Sequence, residues 1–270
     1  VKKEDFKNKV VLITGSTQGI GRKTAELLAQ RGAIVVINSR NENKVIEAVK
    51  AFEARGFSVF GSAGDVSNFD YCQQLRVDDI ARFGKIDLLI NNAGIAIKGD
   101  INSSMPHLFL KEQLINVNGS IFPTKVFIED LKKSQGKILF ISSIAGIIGL
   151  PDHGIYSATK RAIVSYAESL RNELKEYNVF VGVNYPGFTE NDSKKTITLA
   201  DGTSVVLKNR VEVKKNTSQK TASKIIEQLS KQRFYGYSSF SGKAIHILYR
   251  LFPMFTLNMI YYKRERFKSA

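Results

Sequence analysis

The chain has 270 residues, 43% of them hydrophobic and 24% charged, which is enough for one large α/β domain around a continuous core. Its net charge of +15 is uneven: positions 208–270 carry 14 Lys/Arg against three acids, so an acidic partner such as nucleic acid, an anionic membrane surface or an acidic carrier protein would meet the last quarter. The single cysteine, Cys72, excludes an internal disulfide and any metal site built on paired cysteines, in keeping with a reducing, cytoplasmic setting.

In chain order, Val10–Ile13 is an apolar, β-branched strand followed by a glycine-rich turn from Gly15 to Gly21. Helical spacing through Ala25, Leu28 and Ala29 stops at Gly32. A second strand, Ile34–Ile37, precedes an amphipathic helix with Val45, Ala48, Val49 and Phe52. Phe57–Phe60 reads as a strand, Phe69–Phe83 as a helix, Ile86–Ile90 as a strand and Leu108–Leu131 as one helical region. The strand Lys137–Ile141, a helix from Tyr156 to Tyr177 and the strand Val179–Val183 follow. Uninterrupted apolar strands alternating with helices predict a parallel sheet covered on both faces, a doubly wound α/β fold in a single domain.

After Pro186-Gly187 the pattern breaks. Residues 188–220 are polar and Lys-rich, with a turn at Asp201-Gly202, and are expected to form a substrate loop or lid. A helix from Thr221 to Gln232 and a short strand at Phe234–Tyr237 complete a domain placed at residues 1–240. Residues 241–270 are an apolar, basic C-terminal extension. Within it Leu251–Tyr262 is uncharged but only 12 residues long and is broken by Pro253. That is too short to span a bilayer, which needs roughly 18–20 residues, and suits a pair of interfacial helices. Leu251, Phe252, Phe255, Leu257, Met259 and Ile260 would enter the acyl boundary, with Lys263, Arg264 and Arg266 among the phosphates. A subunit arm or a roof over the substrate site would bury the same apolar residues. No leader pattern is visible, and a sequence starting at Val1 without Met leaves a removed leader open.

The glycine turn lies between the first strand and the first helix as Gly15-Ser16-Thr17-Gln18-Gly19-Ile20-Gly21. There glycines let the backbone approach a pyrophosphate resting on the helix N-terminus, although a tight packing turn would use the same residues. Further along stand Asp65-Val66, then Asn92-Ala93-Gly94 after the fourth strand, and Asn116 in Asn116-Val117-Asn118-Gly119. Ser142-Ser143 ends the fifth strand, Tyr156 follows Ser143 by 13 residues, Lys160 follows Tyr156 by four, and Pro186-Gly187 ends the sixth strand.

Taken in this order, the motifs resemble the short-chain dehydrogenase/reductase family, with its Rossmann-type sheet and dinucleotide cofactor, over residues 10–187. The resemblance implies a tetrad of Asn116, Ser143, Tyr156 and Lys160. Tyr156 would be the acid–base residue, with the ammonium of Lys160 lowering its pKa and also holding the nicotinamide ribose. Ser143 would hold the substrate oxygen, with Ser142 structural, and Asn116 would anchor a water in the proton relay. Asp65-Val66 would meet adenine, and Thr189, with Asn191 as the alternative, the carboxamide. His153 stands near the site mouth or is incidental.

Where an acid would select NAD at the end of the second strand, this chain has Asn38-Ser39-Arg40. Arg40, with Ser39, is expected to bind the 2′-phosphate of NADP(H), the other reading being a cap on a solvated turn. The function implied is NADP(H)-dependent reduction of a lipophilic ketone, a 3-keto lipid or steroid-like compound, in a homo-oligomer peripheral to a membrane. A β-ketoacyl thioester reductase is a second reading, a non-catalytic NADP sensor or scaffold a third, and nucleic-acid binding the last, because no recognition motif accompanies the charge.

Overall fold

The computed structural model describes residues 6–189, 196–206 and 216–264. Seven parallel strands form the main sheet: β1 (Val10–Ile13), β2 (Ile34–Ser39), β3 (Val59–Ala63), β4 (Leu88–Asn91), β6 (Lys137–Ile141), β7 (Phe180–Tyr185) and β10 (Tyr235–Tyr237). Their spatial order is β10-β7-β6-β4-β1-β2-β3. The order reverses beside β1, which pairs with β2 on one side (Leu12 opposite Val36) and β4 on the other (Leu12 opposite Leu89). The crevice at that switch point is where doubly wound sheets bind nucleotides.

Both faces of the strands are buried, which explains the unbroken apolar runs. Val11, Ile13, Val35 and Ile37 point to α1 (Gly19–Ala29), α2 (Glu42–Glu53) and α7 (Ser218–Ser230), where they meet Leu28, Phe52, Ile225 and Leu229. Val10, Leu12 and Val36 point the other way, to Leu75 of α3 (Phe69–Phe83), Phe127 of α5 (Gly119–Ser134) and Val164 of α6 (Gly154–Glu173). Each fully buried Leu, Ile or Phe contributes roughly 1.5–3 kcal/mol, so the two layers account for most of the driving force.

Two features depart from the sequence reading. The region read as one helix from Leu108 is divided into α4 (Pro106–Gln113), a π turn at Leu114–Asn118 and α5. Within α5, Pro123 removes one backbone donor, and the hydroxyl of Ser120 donates to the Asn116 carbonyl at 2.9 Å. The region read as irregular after Gly187 contains β8 (Thr196–Leu199) and β9 (Ser204–Val206), an antiparallel pair closed by the Asp201-Gly202 turn. Together with the two-residue β5 (Ile97–Lys98) they make a second sheet of three strands. Residues 190–195 and 207–215 of the expected lid, Asn191 among them, lie outside the described residues.

The C-terminal extension forms α8 (Phe240–Leu251) and α9 (Pro253–Tyr262), divided at Pro253, but the expected membrane contact is overturned. No helix among the described residues is long and apolar enough to cross a membrane. Helix α9 carries no charged residue, so it lacks the strongly polar face that holds an amphipathic helix in an interface. Ile260, assigned to the acyl boundary, is buried in the protein with Thr256. Arg264, assigned to the phosphates, stacks over the Tyr261 ring at 4.4 Å, and Arg266 lies outside the described residues. Helix α8 is fastened to the sheet edge instead: His246 Nδ1 is 2.7 Å from the Tyr237 hydroxyl, and its ring meets Tyr185 edge-on at 5.3 Å.

Candidate active site

The carboxyl ends of β1, β2 and β4 meet at the glycine turn. Ser16 fixes its start by donating from its hydroxyl to the Ile13 carbonyl at 2.6 Å, while its amide donates to the Asn38 carbonyl at 2.9 Å. Asn38 is the buried hub beneath the turn, donating from Nδ2 to the carbonyls of Ser62 and Gly64 and to the Tyr71 hydroxyl. Asn92 ties the turn to the end of β4: its Nδ2 donates to the carbonyls of Thr14 and Gly15, each at 2.9 Å, and the amides of Asn92 and Ala93 donate to the Thr14 hydroxyl. A Cβ at Gly21 would stand 2.5 Å from Asn92 Nδ2, and one at Gly15 2.8 Å from Ala93 Cα. The glycines are therefore needed for this close approach. At Gly19, where φ is +58°, the Cβ position is open space.

Helix α1 begins without a side-chain cap and without an acid in its first turn, unlike α2 and α3, which are capped by Asn41 and Asn68. Its first amides are thus available to an anion, and the turn with Thr17, Gln18 and Ile20 fits a dinucleotide pyrophosphate. At the end of β2, Arg40 is more than half exposed and reaches Asp65 at 3.8 Å. Asp65 also accepts from the Ser67 amide and hydroxyl, Val66 is buried, and the Ser39 hydroxyl accepts from the Asn41 amide. Pro186 accepts from the Ile144 amide at 3.3 Å. Gly187 lies against Ser239, and Thr189 donates to the Gly187 carbonyl at 3.1 Å.

The predicted tetrad is brought together. The Ser143 side chain lies beside the Tyr156 phenol, with its hydroxyl accepting from the Ala145 amide at 3.2 Å, and Lys160 Nζ lies 5.8 Å from the centre of the Tyr156 ring. Lys160 is buried and donates to the Ile141 carbonyl at 3.0 Å. The Ser142 hydroxyl donates to the Lys160 carbonyl at 2.8 Å, which makes Ser142 a brace for α6. Asn116, in the π turn, accepts from the Ile95 amide and donates to the Ile95 carbonyl and the Thr159 hydroxyl. A Cβ at Gly94 would come within 3.0 Å of Asn116 Oδ1 and 3.2 Å of Lys160 Nζ, so glycine there lets the two side chains meet the loop after β4. His153 Nδ1 is 2.9 Å from the Pro151 carbonyl, and its ring faces Tyr156 edge-on at 6.4 Å.

The electrostatics differ from the expectation that Lys160 lowers the Tyr156 pKa. Burial pushes the phenol up to about 12, the neighbouring Ser143 hydroxyl offsetting it and the nearby Glu112 adding to it. Burial likewise pulls Lys160 down to about 8, offset by Glu112. That carboxyl escaped the sequence reading. It stands four residues before Asn116, one helical turn away, and this spacing was the available signal. Its Oε1 accepts from the Ile97 amide at 3.1 Å, and burial pushes it up to about 7. A cavity of about 370 Å³ opens beside it, bounded by the loop after β4, by α4 and by residues 150–155 just ahead of Tyr156.

A family model described as short chain dehydrogenase matches residues 9–202. An uncharacterized oxidoreductase of Thermotoga maritima is 36% identical over 70% of this chain and 74% of its own length. The 11-beta-hydroxysteroid dehydrogenase-like 4A protein of Arabidopsis thaliana is 35% identical over 73% of this chain and 67% of its own. The 3-ketodihydrosphingosine reductase of Bos taurus is 35% identical over 67% of this chain, which spans 56% of that relative. Among solved structures, a short-chain dehydrogenase/reductase from Burkholderia phymatum in complex with NAD superposes with a TM-score of 0.80 at 26% identity, covering 92% of this chain and 94% of that one. A variant of actinorhodin polyketide ketoreductase with NADPH superposes at 0.66 and 28% identity, covering 68% and 71%. With the glycine cradle, the sheet order and the Ser-Tyr-Lys grouping in place, the chain belongs to the short-chain dehydrogenase/reductase family, a family of NAD(P)H-dependent oxidoreductases.

Proposed function

We propose that this protein reduces a lipophilic ketone to a secondary alcohol with NADP(H). The observation that carries the reading is the grouping of Ser143 and Tyr156 beside a buried lysine, next to a largely apolar cavity. When bound, the dinucleotide supplies the hydride. Tyr156, with its pKa near 12, is protonated at neutral pH and gives its proton to the developing alkoxide. Ser143 holds the substrate oxygen beside that phenol. The ammonium of Lys160 stabilises the phenolate left behind and holds the nicotinamide ribose, and Asn116 fixes the loop at Ile95 against α6.

The preference for NADP(H) rests on Arg40, an exposed guanidinium where an acid would repel a 2′-phosphate. Gly15 to Gly21 would hold the pyrophosphate, Asp65 and Val66 the adenine, Asn92 to Gly94 the adjoining ribose and nicotinamide edge, and Pro186, Gly187 and Thr189 the carboxamide. The lipophilic character of the substrate is supported by Ile97, Ile101, Phe109, Leu150, Pro151 and Ile155 around the cavity, and by the names of the steroid- and sphingoid-type relatives. The deciding experiment is Tyr156→Phe, assayed by NADPH oxidation over ketones of increasing chain length. Turnover should vanish between pH 6 and 9 while NADPH binding persists, and substantial residual turnover would remove Tyr156 from the role.

A further inference from the structure

We infer that Arg161 is a positioning residue for ketone reduction: its guanidinium fixes the short turn after β6 that aims the Ser143 hydroxyl at the substrate oxygen. The inference rests on the ketone-reductase reading above and assigns a role to a side chain outside the set of Asn116, Ser143, Tyr156 and Lys160. Arg161 follows Lys160 on α6, so it leaves the helix about 100° around from that lysine. There it lines a separate cleft of about 330 Å³ between α6, the sheet edge and α8, together with Tyr185, Tyr235, His246 and Tyr249.

Ser143 caps one turn of 3-10 helix at Ile144–Gly146. Its carbonyl accepts from the Gly146 amide at 2.9 Å, and its hydroxyl oxygen accepts from the Ala145 amide at 3.2 Å. A serine oxygen that accepts there still has its own O–H to donate, so the position of the turn sets where Ser143 can donate to a substrate oxygen. A turn this short supplies few bonds of its own. The carbonyls of Gly146 and Ile147, both buried residues, emerge at its end and need donors from elsewhere. Arg161 Nη1 donates to both, at 3.2 Å to Gly146 and in a shorter bond to Ile147.

Helix α6 therefore holds the segment at both ends. Ser142 is tied at the near end, its hydroxyl donating to the Lys160 carbonyl at 2.8 Å, and Gly146 and Ile147 are tied at the far end by Arg161. The two anchors are consecutive residues of the helix that carries Tyr156 one turn earlier, so this brace sets the spacing between the serine hydroxyl and the phenol. The guanidinium is held in turn from α8, lying 5.5 Å over the centre of the Tyr249 ring. Glu168, the one acid among the described residues lining the cleft, accepts from the Tyr235 hydroxyl at 2.6 Å, while the hydrogen bonds of Arg161 run to the turn.

The test follows reduction of decan-2-one with NADPH by the parent, Arg161→Ala, Ser143→Ala and the double variant, with enzyme in excess so that residual rates are read. Arg161→Ala should lower kcat by about ten- to a hundredfold, the cost of a misplaced reacting group, while KM and NADPH affinity move little. In the Ser143→Ala background the same substitution should cost less than about twofold, because the group it aims is gone. Guanidinium chloride, far below denaturing concentrations, should enter the open cleft and restore part of the lost kcat, and tetramethylammonium chloride, which has no N–H donor, should not. Arg161→Lys, which keeps a donor for the carbonyls, should fall between the parent and Arg161→Ala, and it carries the same comparison if the alanine variant does not fold. An unchanged kcat, an equal loss with and without Ser143, or equal responses to the two salts would each overturn the positioning role and leave ketone reduction standing. No reduction of the ketone by parent protein that binds NADPH would overturn the ketone reading, and the inference with it.

Discussion

Burial acts on Tyr156 and Lys160 in opposite directions and for the same reason, because both neutral forms are favoured away from water. The protein's own groups therefore keep the phenol protonated, which suits it to give a proton in the reductive direction. Arg40 is the residue whose role can be separated most cleanly from the chemistry. It spans the rim between β2 and β3 to reach Asp65, and more than half of its side chain faces solvent. If it pairs with a 2′-phosphate, Arg40→Ala should weaken NADPH binding by roughly ten- to a hundredfold, the loss of one charge-assisted contact, and leave NADH almost unchanged. Fluorescence titration with both cofactors decides this, and equal losses would reduce Arg40 to a partner of Asp65.

At the scale of elements, what the sequence made legible was whatever repeats or punctuates. Strands buried on both faces give continuous apolar runs such as Val10–Ile13, and glycine or asparagine marks the ends of helices, so the main sheet and its helices could be placed. The Tyr156/Lys160 pair and the glycine turn were legible because their spacing is local. Features held by distant partners were not. The two-residue β5 exists only through pairing with β8, and the π turn depends on Asn116 and Ser120 satisfying backbone groups across it. The docking of α8 is of the same kind, since His246 signals nothing until Tyr185 and Tyr237 are beside it. Burial, followed by the charges of Arg250 and Arg161, pulls the His246 pKa below its ordinary value. A depressed folded pKa means that its contribution is present above the unfolded value and is lost as pH falls through the folded one. His246→Ala should cost roughly 1–3 kcal/mol through a lost buried hydrogen bond and a cavity. Hydrogen exchange in α8 should rise while α1 stays protected, and uniform protection in the variant would remove His246 as the anchor.

Across the whole molecule, buried titratable groups set the response of stability to pH. Burial pushes Asp79 and Glu112 up to about 7 from ordinary values of 3.8 and 4.5, and one oxygen of each has no hydrogen-bond partner. A carboxyl whose folded pKa is raised contributes stability that is complete below its unfolded pKa and is lost as pH rises through about 7. Asp87 works at the acid end. Burial would raise it, but the Val10 amide and the ammonium groups of Lys85 and Lys9 hold it below its ordinary value, so its contribution fades as pH falls. Lys160, pulled down to about 8 from 10.5, penalises folding while charged and returns stability as pH rises from about 8 toward 10.5. The shrinking positive charge on the approach to a pI near 9.7 acts in the same sense. The melting temperature, measured from pH 4 to 10 at constant ionic strength, should peak near pH 5, dip near pH 7–8 and recover above it. Asp79→Asn isolates one contributor, because it removes a carboxyl that must otherwise ionise in the interior of α3. The variant should match the parent near pH 4 and exceed it at pH 8 by about 2 kcal/mol, a part of the cost of moving the carboxyl from 3.8 to about 7 at ~1.4 kcal/mol per pH decade. A parent whose stability climbs steadily from pH 5 to 8, or a variant no more stable than the parent at pH 8, would show that these carboxyls ionise without penalty.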